Sequence, residues 1–171
     1  VIAVNSALRG LIVILLTFIV YIVYTGSTRG YDIVTGIVVS IVTGALFANL
    51  VIQNPLKVLS FKRWPYLLTY ATLYFLYYET KAHLDVIKRI LHPKVPVNPA
   101  IIEAPYSVES DYAITAVANS ITNTPGTVVV DIDTSRKVFY IHWINAKTLD
   151  PAEAKKEIFE SFEKFARKIF D

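Results

Sequence analysis

The chain has 171 residues, of which 54% are hydrophobic and 18% charged, with a formal net charge of +3 and a pI near 9.0. An ordinary globular chain is about 25% charged, so the composition argues against a single soluble domain and for a membrane part joined to a small soluble part. With no cysteine it has no disulfide, no thiolate metal site and no cysteine nucleophile.

The charges are unevenly spread. Residues 1–56 carry only Arg9, Arg29 and Asp32. Residues 57–98 carry seven basic and two acidic side chains, and residues 99–171 carry eight basic and eleven acidic ones. A basic belt therefore separates an apolar head from a mildly acidic tail. Basic residues next to an apolar run belong at the cytoplasmic lipid surface, so the high pI points to a membrane and not to nucleic acid.

Gly10–Thr28 and Ile33–Leu56 contain no Asp, Glu, Lys, Arg or His. A bilayer core about 30 Å thick needs roughly 20 helical residues, and both runs are expected to span it. The second follows the first at once, without a clear cleavage site, which excludes a signal peptide followed by secretion. The short linker Arg29-Gly30-Tyr31-Asp32 predicts an antiparallel hairpin over residues 1–56. Gly36, Ser40, Gly44 and Ala48 recur every four residues. They put small side chains on one helical face, where another helix can approach closely. Arg9 and the Lys57, Lys62, Arg63 cluster would lie on the cytoplasmic side, with the sparsely charged turn outside.

Residues 57–92 form a basic loop and a third helical segment. Trp64-Pro65 opens it, Pro being suited to a first helical turn. The uncharged part, residues 64–78, is short for a span and rich in tyrosine, and Glu79, Lys81, His83, Asp85, Lys88 and Arg89 follow. Aromatic rings with polar tips favour the membrane interface. The expectation is a long amphipathic helix on the cytoplasmic surface; a third span is the alternative. Glu79 with His83, and Lys81 with Asp85, stand four apart and are expected to pair along the helix.

The proline-rich segment 93–99 reads as a linker to a small α/β domain over residues 100–171. Ala100–Ala104 predicts a strand. Ser110 caps a helix to about Ile121, and Thr124-Pro125-Gly126-Thr127 makes a type II turn, with Pro fixing one corner and Gly accepting positive φ at the next. Val128–Asp133 and Val138–Ile144 form a hairpin. Asp150, Pro151 and Glu153 open a last helix whose inner face is Ala154, Ile158, Phe162, Phe165, Ala166 and Ile169. The expected fold is thus a membrane α-helical hairpin plus amphipathic helix, followed by a small α+β domain (β-α-β-β-α).

No histidine has a partner at metal-ligand spacing, and no phosphate loop or dinucleotide pattern appears. Asp131 and Asp133 on one strand face read as solvated acids before a turn. No acid–base, nucleophilic, metal or cofactor constellation is legible. Ion pathways through lipid need ionisable groups inside the spans, and the two spans supply none. The chain alone is therefore expected to be neither pump nor channel, but a subunit working with other hydrophobic subunits.

The segments Glu79-x-Lys81-Ala82-x-x-Asp85-Val86-x-Lys88-x-Ile90, then Ser120-Ile121-Thr122-x-Thr124-Pro125-Gly126-Thr127-Val128, then Tyr140-Ile141-His142, resemble the E subunit of multisubunit Mrp-type Na+/H+ antiporters, the MnhE/MrpE family. The order of parts fits along nearly the whole chain. Asn123 departs from the family's usual apolar residue. The resemblance implies an accessory, non-catalytic subunit of a cation/proton antiporter complex, without a cofactor, whose ion path lies in larger subunits. It also implies kinship with modules of archaeal membrane-bound hydrogenase and sulfur-reducing complexes. On this reading Thr124, Pro125, Gly126, Thr127 and His142 shape the soluble domain, and Glu79, Lys81 and Asp85 anchor the amphipathic helix to a neighbour. The competing reading is a membrane-tethered binding or sensor module with a soluble receptor domain; a membrane enzyme ranks last.

Overall fold

The structure, a computed structural model, describes residues 2–52, 54–58 and 60–171. Two compact units divide at Ser60/Phe61. The first contains α1 (Ile2–Thr25), α2 (Gly30–Val51) and the single turn α3 (Pro55–Val58). The apolar stretches Ser6–Thr25 and Gly30–Val51 are both long enough to cross a membrane. At 1.5 Å rise per residue, 20 residues cover about 30 Å. The connection is Gly26–Arg29, a few residues earlier than expected. Asp32 already lies in the first turn of α2, where it accepts a 2.5 Å hydrogen bond from the Ser27 hydroxyl.

Gly36, Ser40, Gly44 and Ala48 are the buried residues of α2, and they face α1. A Cβ on Gly36 would lie 2.7 Å from Tyr21, and one on Gly44 would lie 2.5 Å from Ile14. The Ser40 hydroxyl donates 2.6 Å to the Gly36 carbonyl, which satisfies it inside the contact. The remaining faces of both helices present exposed Leu, Ile and Val, among them Leu15, Val20, Val38 and Leu46. Lipid is the solvent such faces require.

The second unit begins with a 3₁₀ turn at Phe61–Arg63 and a long helix in three parts: α4 (Trp64–Leu73), a π turn over Tyr74–Glu79, and α5 (Thr80–Leu91). Then follow β1 (Ala100–Pro105), α6 (Asp111–Asn123), β2 (Thr127–Asp133), β3 (Val138–Trp143), α7 (Pro151–Ile158) and α8 (Glu160–Phe170). The sheet is antiparallel in the order β1-β3-β2. Val130 bulges out of the β2 register. Ile102, Phe139, Ile141 and Trp143 turn inward and meet Val117 and Ile121 of α6 and Phe162 and Ala166 of α8. The Ser110 hydroxyl accepts from Ala113 N at the start of α6, and Asp150 accepts from Ala152 N and Glu153 N at the start of α7, because short oxygen-bearing side chains satisfy the otherwise unpaired N–H groups of a first turn.

Three features differ from expectation. The last helix is broken at Phe159 (φ −141°, ψ 2°), whose fully buried ring packs edge-on to Phe139 at 5.5 Å. The break seats Phe159 inside, while Ile158 is only partly buried. The segment over 93–99, expected as a boundary, lies within the second unit, where Asn98 and Ala146 exchange hydrogen bonds. The π turn has no counterpart in the sequence pattern.

Candidate functional site

In a regular α-helix positions four apart drift by about 40° per turn. The wider i→i+5 turn takes that drift back, so Tyr70, Tyr74 and Tyr78 all face the domain core. Tyr70 stacks on Phe165 at 5.4 Å and its hydroxyl bonds the Ser120 hydroxyl. The Tyr74 hydroxyl donates to the Ser120 carbonyl at 3.1 Å, and Tyr78 lies edge-on to Phe162 at 5.1 Å. Arg63 donates to the Ile169 carbonyl at 2.7 Å. The helix is therefore docked from its first turn onward.

Downstream of the π turn the helix meets the Thr124–Thr127 turn. Thr124 ends α6, its hydroxyl donating 2.7 Å to the Ser120 carbonyl. Gly126 has φ +99°, which side-chain-bearing residues rarely adopt. A Cβ there would lie 3.2 Å from Ile144 and 3.7 Å from Val86 of α5. The Thr127 hydroxyl donates 2.7 Å to the Ile121 carbonyl and is buried. The turn thus joins α6, β2, β3 and α5 in one place.

Between α5, this turn, the end of β3 and helices α7 and α8 lies an open cleft of about 580 Å³. It brings Lys81 and Asp85 together with Thr124, Pro125, Gly126 and Thr127, two groups that stand some 40 positions apart in the chain. Glu79 and His83 pair at 3.3 Å as spaced. Lys81 and Asp85 do not pair: Asp85 is held by Arg89, one turn further on, through bonds of 2.8 and 3.0 Å. A forked guanidinium matches a carboxylate better than an ammonium does. Lys81 instead lies over the Tyr77 ring at 5.8 Å. His142 is outside the cleft, half-buried on the sheet face away from the helices, in a row with Ile101 and Val128. Its neighbour Trp143 points the other way and lines the cleft, as alternation along a strand requires.

Four cations, Lys81, Lys88, Arg89 and Lys147, and two carboxylates, Asp85 and Glu157, line the cleft. The hydrogen bond from Arg89 holds Asp85 below the usual carboxylate range, and the one from Lys147, at 2.8 Å, does the same for Glu157. Both acids stay ionised at neutral pH, leaving an excess of two positive charges. Among the described residues no three His, Asp or Glu side chains converge as a metal site would need. Arg89, Lys147 and Glu157 were not singled out from sequence; only the basic character of residues 57–98 signalled the first.

The model of a family described as Na+/H+ ion antiporter subunit matches residues 14–169. The chain belongs to this family, that of the antiporter's E subunits. It is 37% identical over 91 residues to the E subunit of the Na(+)/H(+) antiporter of Bacillus subtilis (strain 168), covering 52% of this chain and 54% of that one. It is 38% identical over 89 residues to the E1 subunit of the Na(+)/H(+) antiporter of Staphylococcus haemolyticus (strain JCSC1435), covering 52% and 55%. The chain thus spans about half the length of the curated relatives it matches. A solved chain of the membrane-bound sulfane sulfur reductase, an archaeal respiratory membrane complex, superposes with a TM-score of 0.79 at 35% identity, covering 95% of this chain and 99% of that one. That likeness extends over the apolar hairpin, the docked helix and the antiparallel α+β domain.

Proposed function

We propose that the chain is an accessory, non-catalytic subunit of a multisubunit cation/proton antiporter module, supporting Na+/H+ exchange carried by other subunits. The observation that carries this reading, beside the family itself, is the absence of any Asp, Glu, Lys, Arg or His from Gly10–Thr28 and Ile33–Leu56. A proton or sodium path needs such groups at membrane depth. The small-residue face of α2 is used up on α1, which suits an anchor. Reconstitution tests this: the purified chain in liposomes gives no sodium-driven proton flux, and flux from the chain alone would refute it.

The host is a respiratory redox complex that contains the antiporter module. Likeness to the archaeal reductase chain, at 35% identity over 95% and 99% of the two chains, supports this. Extraction in mild detergent should co-purify metal-cofactor redox subunits as well as hydrophobic antiporter-like ones; antiporter-like partners without redox subunits would refute it.

The long helix α4–α5 lies along the cytoplasmic membrane surface, with the α+β domain in the cytoplasm. Docking of Arg63, Tyr70, Tyr74, Tyr78 and Val86 against the domain supports this, since a span would give its length to lipid. The opposite side exposes Leu68, Phe75, Ile87 and Leu91, an apolar stripe fit for the interface. The chain has no cysteine, so single cysteines at Leu68, Ser110 and Lys164 can be labelled selectively. Impermeant maleimide should reach the last two only from the cytoplasmic side.

A further inference from the structure

The cleft between α5 and the Thr124–Thr127 turn has two kinds of wall. Arg89 and Lys147 are engaged by Asp85 and Glu157. Lys81 and Lys88, among the described residues, have no carboxylate within ion-pair distance. They stand seven positions apart on α5, two turns along one face, and both line the cleft. Their wall also carries Leu76 and Leu84, which are 73% and 51% exposed, and the exposed ring of Tyr77. The other wall supplies Pro125, Ile144, Ile158 and Phe162. A small soluble anion would match the lysines but leave the leucines in water. A ligand with an anionic head and an apolar tail would satisfy both.

We propose that this cleft binds the phosphate headgroup of an anionic phospholipid. Lys81 and Lys88 hold the phosphate, and the acyl chains leave past Leu76 and Leu84 toward the apolar stripe of the helix. Basic side chains are drawn to anionic lipid surfaces; here two line one cleft of a size that takes small ligands. The inference rests on the reading of α4–α5 as a helix at the membrane surface, and it gives that helix a defined lipid contact in place of general adhesion.

The test uses the full chain, purified in neutral detergent and exchanged free of lipid. Short-chain phosphatidylglycerol, matching phosphatidylcholine and glycerol 3-phosphate are added, and occupancy is read by native mass spectrometry. Phosphatidylglycerol should bind, and the other two at least about tenfold more weakly. The Lys81→Ala/Lys88→Ala double variant should lose about tenfold or more of that affinity. Lys81→Arg/Lys88→Arg should keep it, and so should Lys156→Ala/Lys164→Ala, which loses the same charge outside the cleft. Equal binding of glycerol 3-phosphate overturns the lipid assignment in favour of a soluble anion. Equal binding of phosphatidylcholine, or a lysine-to-alanine variant that binds as the parent does, overturns the site. The detergent measurement needs no bilayer, so its failure leaves the surface-helix reading standing, and a spanning pattern in the cysteine labelling refutes that reading without changing the occupancy.

Discussion

Replacing Tyr74 separates the two ways its side chain holds α4–α5 to the domain. Tyr74 is only 7% exposed and packs against Tyr70 at 5.9 Å, Phe75 at 5.4 Å and Phe162 at 5.7 Å. Truncating a buried aromatic to alanine costs about 3–5 kcal/mol, less where the surroundings collapse into the gap. Tyr74 sits at the joint between helix and domain, where Tyr70 and Tyr78 can close in, so Tyr74→Ala is expected near the lower figure. Tyr74→Phe keeps the ring and removes one donor to the Ser120 carbonyl. That carbonyl still accepts from Thr124 N at 3.2 Å and the Thr124 hydroxyl at 2.7 Å, so the loss should fall at about 0.5–1 kcal/mol. Both tryptophans, Trp64 and Trp143, belong to the second unit. Urea unfolding of the detergent-solubilised chain, followed by tryptophan fluorescence, therefore reports that unit alone. Equal and small losses for both variants, under about 1 kcal/mol, would mean that the ring carries no packing energy. The helix would then be undocked, and free to cross the bilayer as a third span.

Gly126→Ala forces a side chain into φ +99° and against Ile144 at 3.2 Å; a loss of about 1–3 kcal/mol is expected in the same assay. Gly44→Ala places a methyl 2.5 Å from Ile14 and should destabilise the hairpin by about 1–3 kcal/mol, seen as early helix loss in far-ultraviolet circular dichroism while tryptophan unfolding is unchanged. Asp85 and Glu157 are both held below their ordinary values of 3.8 and 4.5. Their contribution to stability is thus complete above those values and lost as pH falls through the depressed ones. The urea midpoint should carry no pH dependence from them between about pH 5 and 7 and should fall below about pH 4. Lys147→Ala should remove the Glu157 share of that acid loss, and an unchanged profile in that variant would refute the pairing.

The parts of the fold legible in sequence are those fixed by local chemistry. Uncharged runs of span length set α1 and α2. Ser110 and Asp150 cap the helices they precede, and Gly126 takes the positive φ that its turn demands. The parts not legible are those decided by distant partners. Nothing near Phe159 marks a helix break; the space beside Phe139 decides it. Asp85 had Lys81 on one side and Arg89 on the other at equal spacing, and the forked guanidinium was the better partner. The cleft was visible only as two separate motifs, because the contact of Val86 with Gly126 that joins them is tertiary. His142 was grouped with those motifs by sequence, yet strand alternation turns it to the other face of the sheet.

The π turn makes the phase of α5 conditional. If Tyr74–Glu79 relaxed to α-helical geometry, every side chain from Thr80 to Leu91 would rotate about the axis by about 100°. Val86 would leave Gly126, Arg89 would leave the Pro96 carbonyl it now meets at 2.8 Å, and Lys81 and Lys88 would swing away together. One turn of backbone thus acts as the indexing pin of the whole downstream helix. Deleting a single residue between Tyr74 and Glu79 would instead let the turn close to α geometry with α5 left in its present phase, because the extra winding and the lost residue cancel.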